Sequence, residues 1–292
     1  MKKLFFAMVL GCTFSVASAY TMDMQADYTG SSRFDKVHVS AATALNLNAQ
    51  AGVEATFAND HHYFKDPVYS VAVPVLLDFD LLKFRMRPFY YFKNKSHTPG
   101  LQDASAFGVQ GALIMTLNEN SAEDIYTYAS IGAAFARQQG TLFYKQDPAE
   151  NRYYNQMAYS LELEQALYRT FDFRFTGTIF QYPDGISKVS GLRSIMDQQD
   201  LAYTQTLDIV HDLAKYTLAV RAARLWSDNN SAFYLGYRFG EYYTANSEHS
   251  VLVGNTFPLT KRTNLDVAYN HVRDSHNHNR RDIWQARLAV AF

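Results

Sequence analysis

Apolar and polar residues alternate with a period of two along most of this chain. In residues 45–57 the odd positions carry Leu, Ala, Val and Phe, whereas the even positions carry Asn, Gln, Gly, Glu and Thr. An α-helix would mix these two sets on every face, but a β-strand points them to opposite sides. The same pattern recurs in residues 84–93, 171–179 and 265–271. The chain is therefore predicted to be all-β.

The alternation divides the chain into thirteen candidate strands. These runs are 42–57, 67–77, 82–93, 104–117, 124–137, 151–165, 171–181, 200–210, 215–226, 231–243, 249–258, 264–274 and 282–292. Many are longer than the roughly 5–6 residues usual in soluble strands and approach the 9–11 that cross a bilayer at a tilt. We find no helix-period segment and no linker, so the pattern predicts one domain.

The last strand carries a second signal. Trp284, Ala286, Leu288, Val290 and the final residue Phe292 alternate with polar or small residues. This resembles the C-terminal signature of bacterial outer-membrane proteins, which the barrel-insertion machinery reads. A soluble β-sandwich also alternates, but long strands, charged inward sets and a terminal Phe favour a membrane barrel. In hydrocarbon every backbone N–H and C=O must be paired, and for strands only a closed sheet achieves this.

The N-terminus has the three parts of a secretory signal. Lys2 and Lys3 precede an apolar stretch that runs to Val16, and residues 17–19 are small. We therefore predict a cleavable signal peptide at 1–19, a short periplasmic segment at 20–35 and a barrel at 36–292. The expected location is the outer membrane of a Gram-negative bacterium, reached by Sec-dependent export. Cys12 lies in a rough match to a lipoprotein cleavage box, so lipidation is the alternative.

Composition excludes some function classes. Without Lys2 and Lys3 the chain has 25 basic against 28 acidic side chains, which argues against nucleic acid as a partner. The mean hydropathy of −0.25 indicates no transmembrane helix in the mature chain. The 21 Tyr and 21 Phe residues fit apolar residues that alternate with polar ones and face outer-membrane lipid.

The polar set of each strand is predicted to face the lumen. Its charged members are the candidate lumen-lining residues Arg85, Arg87, Glu162, Glu164, Arg174, Arg221 and Arg238. Bacterial barrels have an even number of strands, so thirteen must be wrong by one. Long polar segments at 58–66, 94–103, 138–150 and 182–199 suit the outside, and the links at 78–81, 166–170 and 211–213 suit the periplasm. Fourteen strands are predicted, with twelve as the alternative.

Three segments of the C-terminal quarter are similar to the barrel domains of surface-lipoprotein assembly modifiers. They are Gly236–Phe239, residues 249–269 around the Pro258-Leu259 turn, and Arg280–Asp282. The resemblance implies a barrel. Those families place a helical-repeat domain before the barrel, where this chain has only residues 20–35. Their translocation activity is therefore not transferred.

Chemistry-bearing groups are few. His271, Ser275, His276, Asn277 and His278 supply residue types that a lipid hydrolase would need, but mostly in a predicted loop. The same histidines, or residues 61–62, are weak metal candidates without a supporting carboxylate pair. We predict no metal, no cofactor and no catalytic residue.

The leading hypothesis is a channel for small polar solutes, because nearly every strand has a charged inward set. The alternatives are a non-conducting structural or surface-interaction barrel and, third, an outer-membrane lipid hydrolase. The sequence indicates neither the solute nor the oligomeric state.

Overall fold

The computed structural model describes residues 22–32, 34–60, 66–95, 102–123, 125–142, 150–168, 170–183, 194–197, 201, 213–226, 231–243, 245–275 and 280–292. Within these ranges the chain forms fifteen strand segments. They are β1 Met22–Gly30, β2 Phe34–Asn46, β3 Ala49–Asp60, β4 Val68–Ala72, β5 Val75–Phe79, β6 Leu82–Tyr91, β7 Gln102–Asn120, β8 Ile125–Leu142, β9 Glu150–Leu167, β10 Phe171–Gln181, β11 Ala214–Trp226, β12 Ser231–Tyr242, β13 Glu248–Thr260, β14 Thr263–Asp274 and β15 Arg280–Ala291.

The strands form one closed antiparallel barrel. Apart from β4 and β5, each strand pairs with its neighbours in the chain, and β1 closes the sheet by pairing with β15 from Asp23↔Ala291 to Gly30↔Trp284. The segments β4 and β5 both lie between β3 and β6, so they are halves of one wall strand. The prediction of an all-β barrel with fourteen strands is confirmed, and the alternative of twelve is wrong.

Pro74 causes the break between β4 and β5. Proline has no N–H to donate to the ladder, so it can interrupt the pairing of a strand. The register continues across the gap, because Gly52 N donates to the Pro74 carbonyl at 2.9 Å and Val73 N donates to the Pro88 carbonyl at 3.0 Å. The wall therefore stays closed at this point.

The two ends of the barrel differ. The end that holds Met22 and Phe292, here called the terminal end, has short connections such as Leu47-Asn48 and Asp80-Leu81. Asp80 has a φ of 61°, a left-handed conformation that Asp tolerates and that two-residue hairpin turns use. The opposite end, here called the loop end, has the long connections, including 182–213. Short turns are typical of the periplasmic side of bacterial barrels.

Residues 20–35 do not form a separate periplasmic segment, which corrects the sequence-based prediction. Met22–Gly30 is strand β1, and β2 already begins at Phe34. The reason is the need for closure: β1 supplies the hydrogen-bond partners for the free edges of both β2 and β15. Residues 1–19, with Cys12, lie outside the described residues.

Two further corrections offset each other in the strand count, so the missed strand β1 accounts for the odd number. The run 42–57 contains parts of two strands, β2 and β3, joined by a turn at Leu47-Asn48. The run 200–210 lies outside the described residues except for Leu201, and β10 pairs directly with β11.

The link at 211–213 is predicted to lie on the periplasmic side, but Leu213 lies at the loop end, where its carbonyl accepts from Tyr243 N at 2.7 Å.

The alternation separates an apolar outer face from a polar inner face. On β6, Phe84 and Met86 are each 39% exposed on the outside, whereas their neighbours Arg85 and Arg87 point inward. Gln110, Gln138 and other polar side chains of the inner face are buried. No helix in the described part of the chain is long and apolar enough to span a membrane.

Candidate functional site

The seven predicted lumen residues all lie on the inner face of the wall, on strands β6, β9, β10, β11 and β12. The register brings three of them into one row, because Arg174 lies directly opposite Glu164 on one side and Arg221 on the other. Arg238 lies one strand beyond Arg221. Arg85 and Arg87 belong to a different part of the wall.

Five charged or titratable side chains form a continuous chain of contacts along the inner wall, from β15 through β1, β2 and β3 to β6. Arg287 Nε lies 2.6 Å from Asp27 Oδ1, and Asp27 Oδ2 lies 3.0 Å from His38 Nδ1. His38 Nε2 is 3.6 Å from Glu54 Oε2, which also accepts from Arg87 Nη2 at 2.6 Å. We call this row the ion-pair chain.

Only Arg87 of the ion-pair chain was among the predicted site residues. Asp27 was missed because residues 20–35 were assigned outside the barrel. The signal was nevertheless present, since Met22, Met24, Ala26 and Tyr28 alternate with Asp, Gln, Asp and Thr. His38, Glu54 and Arg287 were on polar faces but gave no sign of having a partner.

A second polar group lies on β9 to β14. Arg174 Nη2 donates to Glu164 Oε2 at 2.5 Å. The Arg221 guanidinium lies 4.0 Å from the centre of the Tyr234 ring, and Tyr234 Oη donates to Asp266 Oδ1 at 2.7 Å. Together with the ion-pair chain, these contacts place charged side chains on strands β1, β2, β3, β6, β9, β10, β11, β14 and β15 of the inner wall.

The loop end of the lumen is narrowed by an inserted segment, Ser194–Asp197, from the β10–β11 connection. Its backbone is held by side chains of the wall: Ile195 N donates to Gln138 Oε1 at 2.9 Å, and Asp197 N donates to Tyr91 Oη at 3.0 Å. The Asp197 carboxylate forms an ion pair with Lys36 of β2. The inserted segment is therefore tied to widely separated strands of the wall.

Small residues make room for the inserted segment. Ile195 and Met196 are 4% and 1% exposed and pack in a buried apolar cluster with Phe180, Tyr91 and Tyr242. Most of the other wall residues in this cluster are alanines: Ala72, Ala104, Ala106, Ala134, Ala136, Ala158 and Ala214. An alanine wall leaves space that the larger Ile and Met side chains fill, as close packing requires.

The C-terminal signature residues lie on the outer face of β15. Trp284, Leu288 and Phe292 are 57%, 40% and 52% exposed there, and Val290 shares that face. Phe292 N also donates to the Met22 carbonyl at 2.9 Å, which ties the last residue to the start of β1. Their role in membrane insertion stays a prediction.

Only part of the candidate hydrolase group lies within the described residues. His271 Nδ1 lies 2.8 Å from Asp282 Oδ1 on the outer face, and the same oxygen accepts from Tyr269 Oη at 2.5 Å. His276, Asn277 and His278 lie outside the described residues, as do His61 and His62. Among the residues that are described, no three His, Cys, Asp or Glu side chains are placed to hold a metal ion.

Known structures share the fold. No family model and no curated protein matches the chain. The monoaromatic hydrocarbon channel CymD aligns with a TM-score of 0.54 at 8% identity, over 98% of this chain and 92% of CymD. OprB of Pseudomonas putida, in a high-pH structure, aligns with a TM-score of 0.51 at 6% identity, over 94% of each chain.

At these identities the likeness shows the fold alone. The chain has the fold of a Gram-negative outer-membrane β-barrel, so the predicted class is confirmed. The predicted location in the bacterial outer membrane agrees with this fold.

Proposed function

We propose that the chain forms an outer-membrane channel for small polar solutes, narrowed at the loop end by the inserted segment Ser194–Asp197. The observation that carries the proposal is the charged inner wall, above all the ion-pair chain. Charged side chains at membrane depth are costly unless they line a water-containing path or are fully paired. The charged inner wall is unlike the apolar core of a soluble barrel. CymD, which has the same fold, is a channel.

Single-channel recording of the refolded chain 20–292 in a planar bilayer tests the proposal. We expect stable conductance steps whose ion selectivity changes in an Arg87→Gln variant, because that change leaves Glu54 without its guanidinium. Arg137→Gln is the matched control. Arg137 lies on the outer face, with its guanidinium 4.8 Å from the centre of the Tyr153 ring, so its loss should leave selectivity unchanged.

The second candidate is a non-conducting barrel, and the inserted segment favours it. The buried apolar cluster around Met196 and the ion pairs together fill part of the lumen. A refolded protein that is resistant to unfolding yet shows no conductance would support this candidate and contradict the channel.

We also propose that residues 1–19 direct export and that the outer-face signature ending in Phe292 is recognised by the barrel-insertion machinery. Deleting Phe292 should slow insertion of the barrel in cells without preventing export of the chain. Normal insertion of the shortened chain would contradict this role.

A further inference from the structure

Three arginines on adjacent strands border one cavity in the inner wall. Arg174 and Arg221 lie directly opposite each other on β10 and β11, and Arg238 is displaced from Arg221 by two positions on β12. Like charges directly opposite each other destabilise a sheet. The register therefore concentrates positive charge where a bound anion would relieve the repulsion.

Each arginine has a separate anchor. Glu164 binds Arg174 at 2.5 Å, the Tyr234 ring lies 4.0 Å from Arg221, and Arg238 Nη2 donates to Tyr242 Oη at 3.0 Å. These contacts hold the three guanidinium groups in place before any ligand arrives, which lowers the entropic cost of binding. Arg238 is only 2% exposed, so its charge is little screened by water.

The cavity has the size and lining of an anion site. Its volume is about 30 Å³, and a single water needs roughly 10–15 Å³, so the oxygens of one oxyanion can enter. Ser250 adds a hydroxyl donor, and none of the described residues that border the cavity is a carboxylate. Gly236 and Ala219 lie opposite Arg221 and Arg238, and their small size leaves the space open.

Acidic residues lie near the cavity, and Asp172 and Asp266 are close enough to attract Arg221, but none of the described ones borders the cavity. Glu164 is bound to Arg174, and Thr176 donates to Glu162 at 3.4 Å. Asp172 lies opposite Ala223, one inward position nearer the terminal end than Arg174 and Arg221. The cavity itself is thus bordered by three positive charges.

We propose that this cavity, here called the arginine site, binds the oxyanion group of a solute, a phosphate or carboxylate, during its passage through the lumen. The proposal rests on the proposed channel and names its substrate class. Guanidinium groups suit this role because they present paired N–H donors to oxyanions.

The test measures the melting temperature of the refolded barrel in detergent micelles. Inorganic phosphate is titrated at constant ionic strength, and glycerol phosphate is titrated in parallel. A ligand that binds only the folded state raises the melting temperature along a saturable curve, so we expect both titrations to do so. A response to inorganic phosphate alone would overturn the assignment to a solute.

Two variants address the arginine site and one serves as a control. Arg238→Gln should raise the half-saturating phosphate concentration by about tenfold or more, the usual effect of losing a charged hydrogen bond. Ser250→Asp places a carboxylate directly opposite Arg238. It should abolish the phosphate response without lowering the melting temperature in phosphate-free buffer. Arg287→Gln removes one lumen charge away from the cavity and should keep the response.

The outcomes separate this inference from the channel itself. No phosphate response in the parent barrel, or an equal loss in Arg287→Gln, overturns the arginine site even if the protein conducts. A saturable response that Ser250→Asp abolishes supports the arginine site even if no current is found, and then only the proposed channel fails.

Discussion

The ion pair between Glu54 and Arg87 should couple more strongly than an exposed pair of similar length. Arg87 Nε and Nη2 both donate to Glu54 Oε2, at 2.7 and 2.6 Å, and the two side chains are 14% and 17% exposed. Removing one partner of a fully buried pair costs about 3–5 kcal/mol, part of which is the penalty of the charge left unpaired, whereas the coupling of exposed pairs is about 0.2–1 kcal/mol. At this exposure, beside lumen water, we expect a coupling free energy of about 2 kcal/mol.

A natural comparison lies on the neighbouring strands. Lys83 Nζ is 2.7 Å from Asp78 Oδ2, but these side chains are 37% and 36% exposed. The shortest distances in the two pairs are nearly equal, but the pairs differ in burial and in the number of donors, two from Arg87 against one from Lys83. We expect the coupling of the Lys83 pair to be below about 1 kcal/mol.

Two double-mutant cycles measure this difference. Glu54→Gln, Arg87→Gln and the double variant form one cycle, and Asp78→Asn, Lys83→Gln and their double variant form the other. The free energy of unfolding is obtained from urea titrations of the barrel in lipid vesicles. Coupling energies that agree within about 0.5 kcal/mol would refute the argument that burial in the lumen decides the strength of the pair.

Three further perturbations have defined outcomes. Ile131→Arg should destabilise the barrel in vesicles by about 2–4 kcal/mol, because Ile131 is 55% exposed on the lipid-facing side. An unchanged unfolding midpoint would mean that this side of the strand does not face lipid. Lys36→Ala removes the ion pair to the inserted segment and should increase single-channel conductance. An unchanged conductance would mean that the inserted segment does not narrow the route of ions through the lumen. Gly254→Ala should cost about 1–3 kcal/mol by displacing the Tyr234 ring, which lies over Gly254. Gly111→Ala, whose new methyl group meets nothing closer than 3.9 Å, should be tolerated, and equal losses in the two glycine variants would contradict the packing argument.

Strand β1 shows where sequence reasoning stopped short. Its alternation is as regular as that of the other strands, but it is short and follows directly on the predicted signal segment. The even strand number was a global constraint that indicated an error of one strand, and counting from the two ends of the chain pointed to residues 227–250 or 182–199 rather than to β1. Only the pairing of β1 with both β2 and β15 showed which strand was missing.

The run 42–57 shows a different difficulty. The turn at Leu47-Asn48 preserves the alternation across two strands. If a turn preserves the alternation of apolar and polar residues, the period-two pattern does not show where one strand ends and the next begins. The boundary between β2 and β3 is set by the partners on either side.

The sequence by itself determined the all-β class and which residues of a strand share a face. Each of these depends on the local rule that successive side chains of a strand point to opposite sides. Local periodicity needs no knowledge of distant residues.

The tertiary structure alone decided which charges meet. Arg287 and Asp27 are separated by 260 residues and Arg87 and Glu54 by 33, and only closure and register bring each pair together. The inserted segment is likewise invisible in the sequence, because its contacts are with strands from several parts of the chain. The contacts inside the lumen therefore depend on closure of the barrel, whereas the alternation of apolar and polar residues predicts the strands of the wall.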